Sequence, residues 1–160
     1  MRKIIFIAAF VLAAVSATVA QTNRNLELGG SVQCSQQFRE VGFVNVGADV
    51  RALVSVATWS RLRAIVGVNG FVPNGFDRYG YVLTGVTVDA MPLYVFADFG
   101  LNYNPSSKRA IGMAFDGGVG LNFDVAKHWS VYAELAVDRV SNGRRWQSTA
   151  AVKTGVMYAL

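Results

Sequence analysis

The chain has 160 residues, a formal net charge of +5 and a single cysteine, so an internal disulfide is excluded. The charge is mildly basic and implies no nucleic-acid partner. It is 52% hydrophobic and only 16% charged, where an average soluble domain carries about 25% charged residues. That balance suits a surface that meets something other than water.

Residues 1–20 have the layout of a cleaved secretory leader. Arg2 and Lys3 form a positive start, Ile4 to Val15 an apolar stretch, and Thr18 and Ala20 the small residues before a cleavage point. The stretch is shorter than the roughly 20 residues that cross a bilayer as a helix. Losing Arg2 and Lys3 lowers the formal charge from +5 to +3. Residues 21–160 then form one domain, since no linker, low-complexity segment or charge run divides them. Cys34 lies too far into this part for lipid attachment and reads as a small hydrophobe. No second apolar run is long enough for a membrane helix.

The mature part alternates. Side chains on a strand point to opposite faces, so a period of two marks an amphipathic strand. The pattern predicts strands over residues 26–34, 42–57, 62–72, 79–88, 93–103, 111–125, 129–138 and 148–160. Two are clearest. In 111–125, Ile111, Met113, Phe115, Val119, Leu121, Phe123 and Val125 share one parity, against Gly112, Ala114, Asp116, Gly118, Gly120, Asn122 and Asp124. In 129–138, Trp129, Val131, Ala133, Leu135 and Val137 oppose Ser130, Tyr132, Glu134, Ala136 and Asp138. The fourth segment is ambiguous, because Tyr81 and Leu83 favour one parity and Val82, Val86 and Val88 the other.

Connections of two lengths alternate along the chain. Residues 58–61, 89–92 and 126–128 are short; 35–41, 73–78, 104–109 and 140–147 are longer. An even number of strands joined in this way predicts an all-β fold, an eight-stranded antiparallel up-and-down transmembrane β-barrel. Its tight turns and both termini would be periplasmic and its longer loops external.

A soluble barrel can alternate too, with its apolar face inside around a ligand, as in a lipocalin. The polar parity argues for the inverse. It is rich in glycine, which solvent-facing strands disfavour but a crowded narrow lumen needs. It also carries Glu27, Asp49, Arg51, Arg63, Asp98, Asp116, Asp124, Glu134, Asp138 and Lys153, charges that inside a closed barrel must pair or meet water. The apolar parity carries almost none. Trp59, Tyr79, Tyr81, Tyr103, Phe123, Trp129 and Tyr158 sit near strand ends, where interfacial aromatic girdles lie.

On this pattern the chain resembles the small eight-stranded outer-membrane proteins of the OmpA and OmpX type. Val119–Asp138 carries the likeness: a strand, a short basic turn, Trp-Ser, and a strand bearing Tyr-Ala-Glu. The final strand, with Val152, Val156 and Tyr158, resembles the terminal strand that the insertion machinery recognises, although Leu160 stands where an aromatic is usual. The resemblance implies a location in the bacterial outer membrane. It also implies contact with outer-membrane lipid and lipopolysaccharide, and periplasmic chaperones and the barrel-insertion machinery as partners during biogenesis. The wall-binding domain of full-length OmpA is not implied.

Few constellations suggest chemistry. His128 and Ser130 form a His-x-Ser pair similar to that of a lipid A deacylase barrel, but His128 falls at a periplasmic turn and Ser130 on the lumen parity. One His and one Cys give no zinc spacing, and the glycines form no phosphate loop, so no cofactor and no catalytic residue is expected. The lumen charges read either as a salt-bridged plug or as the lining of a narrow path; eight strands leave space that side chains fill. The longer connections hold Arg39, Arg78, Lys108, Arg109, Arg144 and Arg145, opposed only by Glu40 and Asp77. Such a rim suits phosphates of lipopolysaccharide or another anionic surface partner. Trp146 reads as an adhesion contact or a girdle residue. The expected role is structural or surface-interacting. The alternatives are a lipid-modifying barrel enzyme, a narrow channel and a soluble ligand carrier.

Overall fold

A computed structural model describes residues 26–38, 44–70, 79–105, 111–141 and 146–160. The leader assigned to residues 1–20 lies outside them. Eight strands follow in order: β1 (Leu26–Gln37), β2 (Val44–Ala57), β3 (Ser60–Asn69), β4 (Tyr79–Ala90), β5 (Leu93–Tyr103), β6 (Ile111–Ala126), β7 (Trp129–Ser141) and β8 (Trp146–Ala159). Each pairs antiparallel with the next, and β1 closes on β8 with Gly29 opposite Met157 and Gln33 opposite Lys153. Closure leaves no unpaired edge.

Residues 58–59, 91–92 and 127–128 make the three tight turns at one end, which also holds the start of β1 and the end of β8. The ends of β1, β3, β5 and β7 and the starts of β2, β4, β6 and β8 lie at the other. Backbone bonds tie the turn end together: Leu160 N–H donates to Leu26 O at 2.9 Å, and Ala159 N–H to His128 O at 2.8 Å. Several strands run further than alternation alone suggests, although β3 ends at Asn69. β3 begins at Ser60, so Arg61 is a strand residue and not part of a turn, and β7 reaches Ser141.

Parity sorts the two faces. The outer one is apolar and exposed, for example Val50, Leu62, Val95, Phe99, Met113, Leu135 and Val152. Its two mid-strand threonines bond inward to the backbone of a neighbouring strand. Thr84 Oγ1 donates to Arg63 O at 3.0 Å and Thr154 Oγ1 to Tyr132 O at 3.2 Å. On the described strands Arg139 is the one charged residue that faces out.

The inner face carries buried aromatic, polar and charged side chains. Lumen tyrosines lie flat against glycines directly opposite on the adjacent strand. Tyr94 covers Gly120, Tyr81 covers Gly67, and Tyr132 covers Gly155. A Cβ at Gly120 or Gly67 would overlap the covering ring. A narrow barrel fits bulky residues by pairing them with the smallest across the ladder.

Candidate functional site: the charged lumen

Three groups of charge occupy the lumen between the turn end and the loop end. At the turn end Arg61, from β3, bridges two other strands. Its Nε and Nη2 donate to Asp89 Oδ2 and Oδ1 at 2.9 and 2.7 Å, and Nη1 to Glu27 Oε2 at 2.9 Å.

The central group converges on Glu134, which is 1% exposed. One oxygen, Oε1, accepts from Arg51 Nη1 at 2.8 Å, Arg63 Nη1 at 3.0 Å and the Tyr94 hydroxyl at 2.8 Å. Arg51 also donates Nε and Nη2 to the two oxygens of Asp49, both at 3.1 Å, and Nη2 to Ser31 Oγ. Ser31 Oγ in turn donates to Asp49 at 2.7 Å. Arg63 Nε lies 3.2 Å from Asp98 Oδ2. Both guanidinium groups rest on aromatic faces, Arg51 on Tyr132 at 4.4 Å and Arg63 on Phe96 at 4.2 Å, which adds cation–π attraction in a desolvated setting.

The third group lies nearer the loop end. Asp98, Asp116 and Asp138 are register partners in a row across β5, β6 and β7. Lys153 from β8 donates to Asp116 and approaches Asp138 Oδ1 at 3.3 Å. In the central and third groups the cations Arg51, Arg63 and Lys153 thus face five carboxylates, Asp49, Asp98, Asp116, Glu134 and Asp138, all of them buried. Beyond them come Tyr79, Tyr81, Leu83, Ala114 and Val140, then the neutral polar residues Ser35, Asn45 and Asn69. Two internal cavities of about 10 Å³ each flank the ion pairs, one lined by Arg51, Arg61, Tyr94 and Glu134, the other by Tyr79, Tyr81, Asp116 and Lys153. Each is at the lower limit for a single water.

Of the ten lumen charges expected from the sequence, nine therefore point inward within these groups. Asp124 does not join them. It stands exposed in an open recess of about 390 Å³ at the turn end, with His128 and Ser130. Its strand projects past the closed part of the barrel, so correct parity does not bring burial.

The aromatics divide. Trp59, Phe123, Trp129 and Tyr158 face outward at the turn end, where Trp129 meets Tyr158 edge-on at 4.9 Å. Tyr103 faces outward at the loop end, half-buried. Tyr79 and Tyr81 do not belong to a girdle: both are buried in the lumen, Tyr79 accepting a bond from Asn69 Nδ2 at 2.9 Å. The parity of Val82, Val86 and Val88 sets the facing of β4 and turns both tyrosines in. Trp146 faces outward at the start of β8, against Phe115 at 5.7 Å. The basic loop residues Arg39, Arg78, Lys108, Arg109, Arg144 and Arg145 lie outside the described residues.

His128 and Ser130 point in different directions. The His128 ring packs on Tyr158 at 5.8 Å, towards the outer face, while Ser130 points into the lumen opposite Asp124. Three residues of the lumen groups escape the sequence reading, Arg61, Asp89 and Tyr94, as does the outward Arg139. Arg61 shares its parity with Arg63, a signal that was available.

No family profile matches the sequence, and no curated protein matches it. Solved structures do. Neisserial surface protein A aligns with a TM-score of 0.56 at 13% identity, over 86% of this chain and 97% of that one. Ail, the attachment invasion locus protein of Yersinia pestis, aligns with a TM-score of 0.53 at 10% identity, over 86% and 97%. The fold is thus the closed eight-stranded antiparallel barrel of small outer-membrane proteins, the architecture expected from the OmpA and OmpX resemblance. Ail has also been solved with the heparin analogue sucrose octasulfate.

Proposed function

We propose that this is an exported, non-enzymatic outer-membrane barrel whose lumen is plugged and whose work is done at the cell surface. The observation that carries the reading is the inversion of its faces. Arg63, Glu134 and Lys153 are among the most deeply buried side chains, whereas Phe99, Leu135 and Ile111 are each at least 60% exposed. Water penalises that arrangement and a bilayer favours it, because apolar area gains nothing from facing water while buried charges need partners. Residues 1–20 act as the leader, and periplasmic chaperones and the insertion machinery act on the mature chain. With the tight turns periplasmic, the six basic loop residues face outward and contact phosphates of lipopolysaccharide or a similar polyanion. The sulfated ligand solved with Ail offers a parallel for such a surface.

The test combines fractionation with surface proteolysis. The protein should enter the outer-membrane fraction, shift its gel mobility on heating, and be cut at the basic loops on intact cells. Recovery in the soluble fraction, or protection of the loops in intact cells alone, defeats the reading.

A further inference from the structure

We infer that the outer face of β6, β7 and β8 near the loop end is a seat for one phosphorylated lipid of the outer leaflet, lipopolysaccharide, with Arg139 as its phosphate ligand. The inference rests on the membrane orientation proposed above. Arg139 is the one charge on the described outer face, two residues from the end of β7. At the bilayer midplane an outward arginine costs about 2–4 kcal/mol, but near the interface the cost falls towards zero. The residue is therefore placed where a cation is tolerated and where headgroup phosphates lie.

Its surroundings favour an anion from outside. No carboxylate comes within ion-pair distance of Arg139 among the described residues; its register partners are Phe115 and Ser148. The guanidinium lies over the Trp146 ring at 5.2 Å, and Trp146 packs on Phe115. A guanidinium held over a ring face still has N–H groups to donate, and its fork suits bidentate contact with a phosphate. Turnward of this platform the wall is apolar and exposed, with Val119, Leu135, Val137 and Val152, a surface for acyl chains. Beside Phe115 the wall dips at Gly117, opposite Ala97 and Val137. Charge, aromatic platform and apolar wall thus occur together at one place on the circumference.

The experiment titrates the full mature barrel, in detergent micelles, with purified lipopolysaccharide and with its dephosphorylated form, and reads bound lipid by native mass spectrometry. Heat-modifiable mobility establishes that each variant is folded. The expected result is one lipid held by the unaltered chain, roughly tenfold weaker binding in Arg139→Gln with the loops unchanged, and little difference between the two proteins for dephosphorylated lipid. Undiminished binding by folded Arg139→Gln overturns the inference, as does equal affinity of the unaltered chain for both lipids. Failure of the unaltered barrel to insert into lipid vesicles would instead count against the membrane reading itself.

Discussion

Arg61 holds Asp89 through two parallel hydrogen bonds, Nε to Oδ2 at 2.9 Å and Nη2 to Oδ1 at 2.7 Å. The pair joins β3 to β4 across the turn-end mouth of the lumen, and a third bond from Nη1 to Glu27 extends it to β1. Bidentate geometry gives such a contact both strength and direction. Removing Asp89 takes two of the three bonds from a largely buried guanidinium and leaves it Glu27 alone. Asp89→Ala is therefore expected to destabilise the folded barrel by about 2–3 kcal/mol, read as a lower urea midpoint for loss of heat-modifiable mobility. Asp89→Asn, which keeps an acceptor, should cost less. Equal stability of all three proteins would mean that the mouth does not depend on this pair.

Glu134 has a larger effect. Its Oε1 is shared by Arg51, Arg63 and Tyr94, so Glu134→Ala takes a common acceptor from two buried guanidinium groups, leaving Arg51 to Asp49 and Arg63 to Asp98. Loss of one partner of a buried pair costs about 3–5 kcal/mol. The expected outcome is a barrel that folds poorly from urea, while Tyr94→Phe, which removes one hydrogen bond, loses about 1–2 kcal/mol. Refolding yields by gel mobility across the two variants check this order.

How much of this was legible depends on what parity alone decides. The period of two separates the faces, and with it Asp49, Arg51, Asp98, Asp116, Glu134, Asp138 and Lys153 fall inward without any knowledge of neighbours. Parity fails where a strand end is misjudged. Ending β7 at residue 138 hides Arg139, and starting β3 at residue 62 hides Arg61. It also fails where both faces are apolar. On β4, Tyr79, Tyr81 and Leu83 fill the lumen while Val82, Val86 and Val88 cover the outside. A tyrosine near a strand end resembles a girdle residue until Gly67 is seen to lie directly across from Tyr81. Which cation meets which carboxylate depends on stagger around the closed barrel, and one strand's pattern carries no information about that.

The glycine beneath Tyr94 supplies a steric test of lumen packing. A Cβ at Gly120 overlaps the Tyr94 ring, so Gly120→Ala should push the ring off Glu134 and cost about 1–3 kcal/mol. In the double variant with Tyr94→Ala, the ring that clashes is gone, and the combined loss should be smaller than the sum of the two single losses. Strict additivity in urea unfolding would show that Tyr94 is not held against Gly120.

The outer face offers the sharpest discrimination between a membrane barrel and a soluble one. Leu135 is 61% exposed, in mid-strand on β7. On a protein facing water, Leu135→Arg is a surface change worth within about 0.5 kcal/mol. On a barrel facing lipid, it puts a cation near the midplane at a cost of about 2–4 kcal/mol. Arg139 stands on the same strand and the same face, two turns of the pleat nearer the loop end. Depth therefore separates a tolerated arginine from a costly one, and Arg139→Leu should change folding stability in vesicles little. Equilibrium unfolding from phospholipid vesicles measures both. A Leu135→Arg barrel as stable in vesicles as the unaltered protein would mean that this face does not meet lipid.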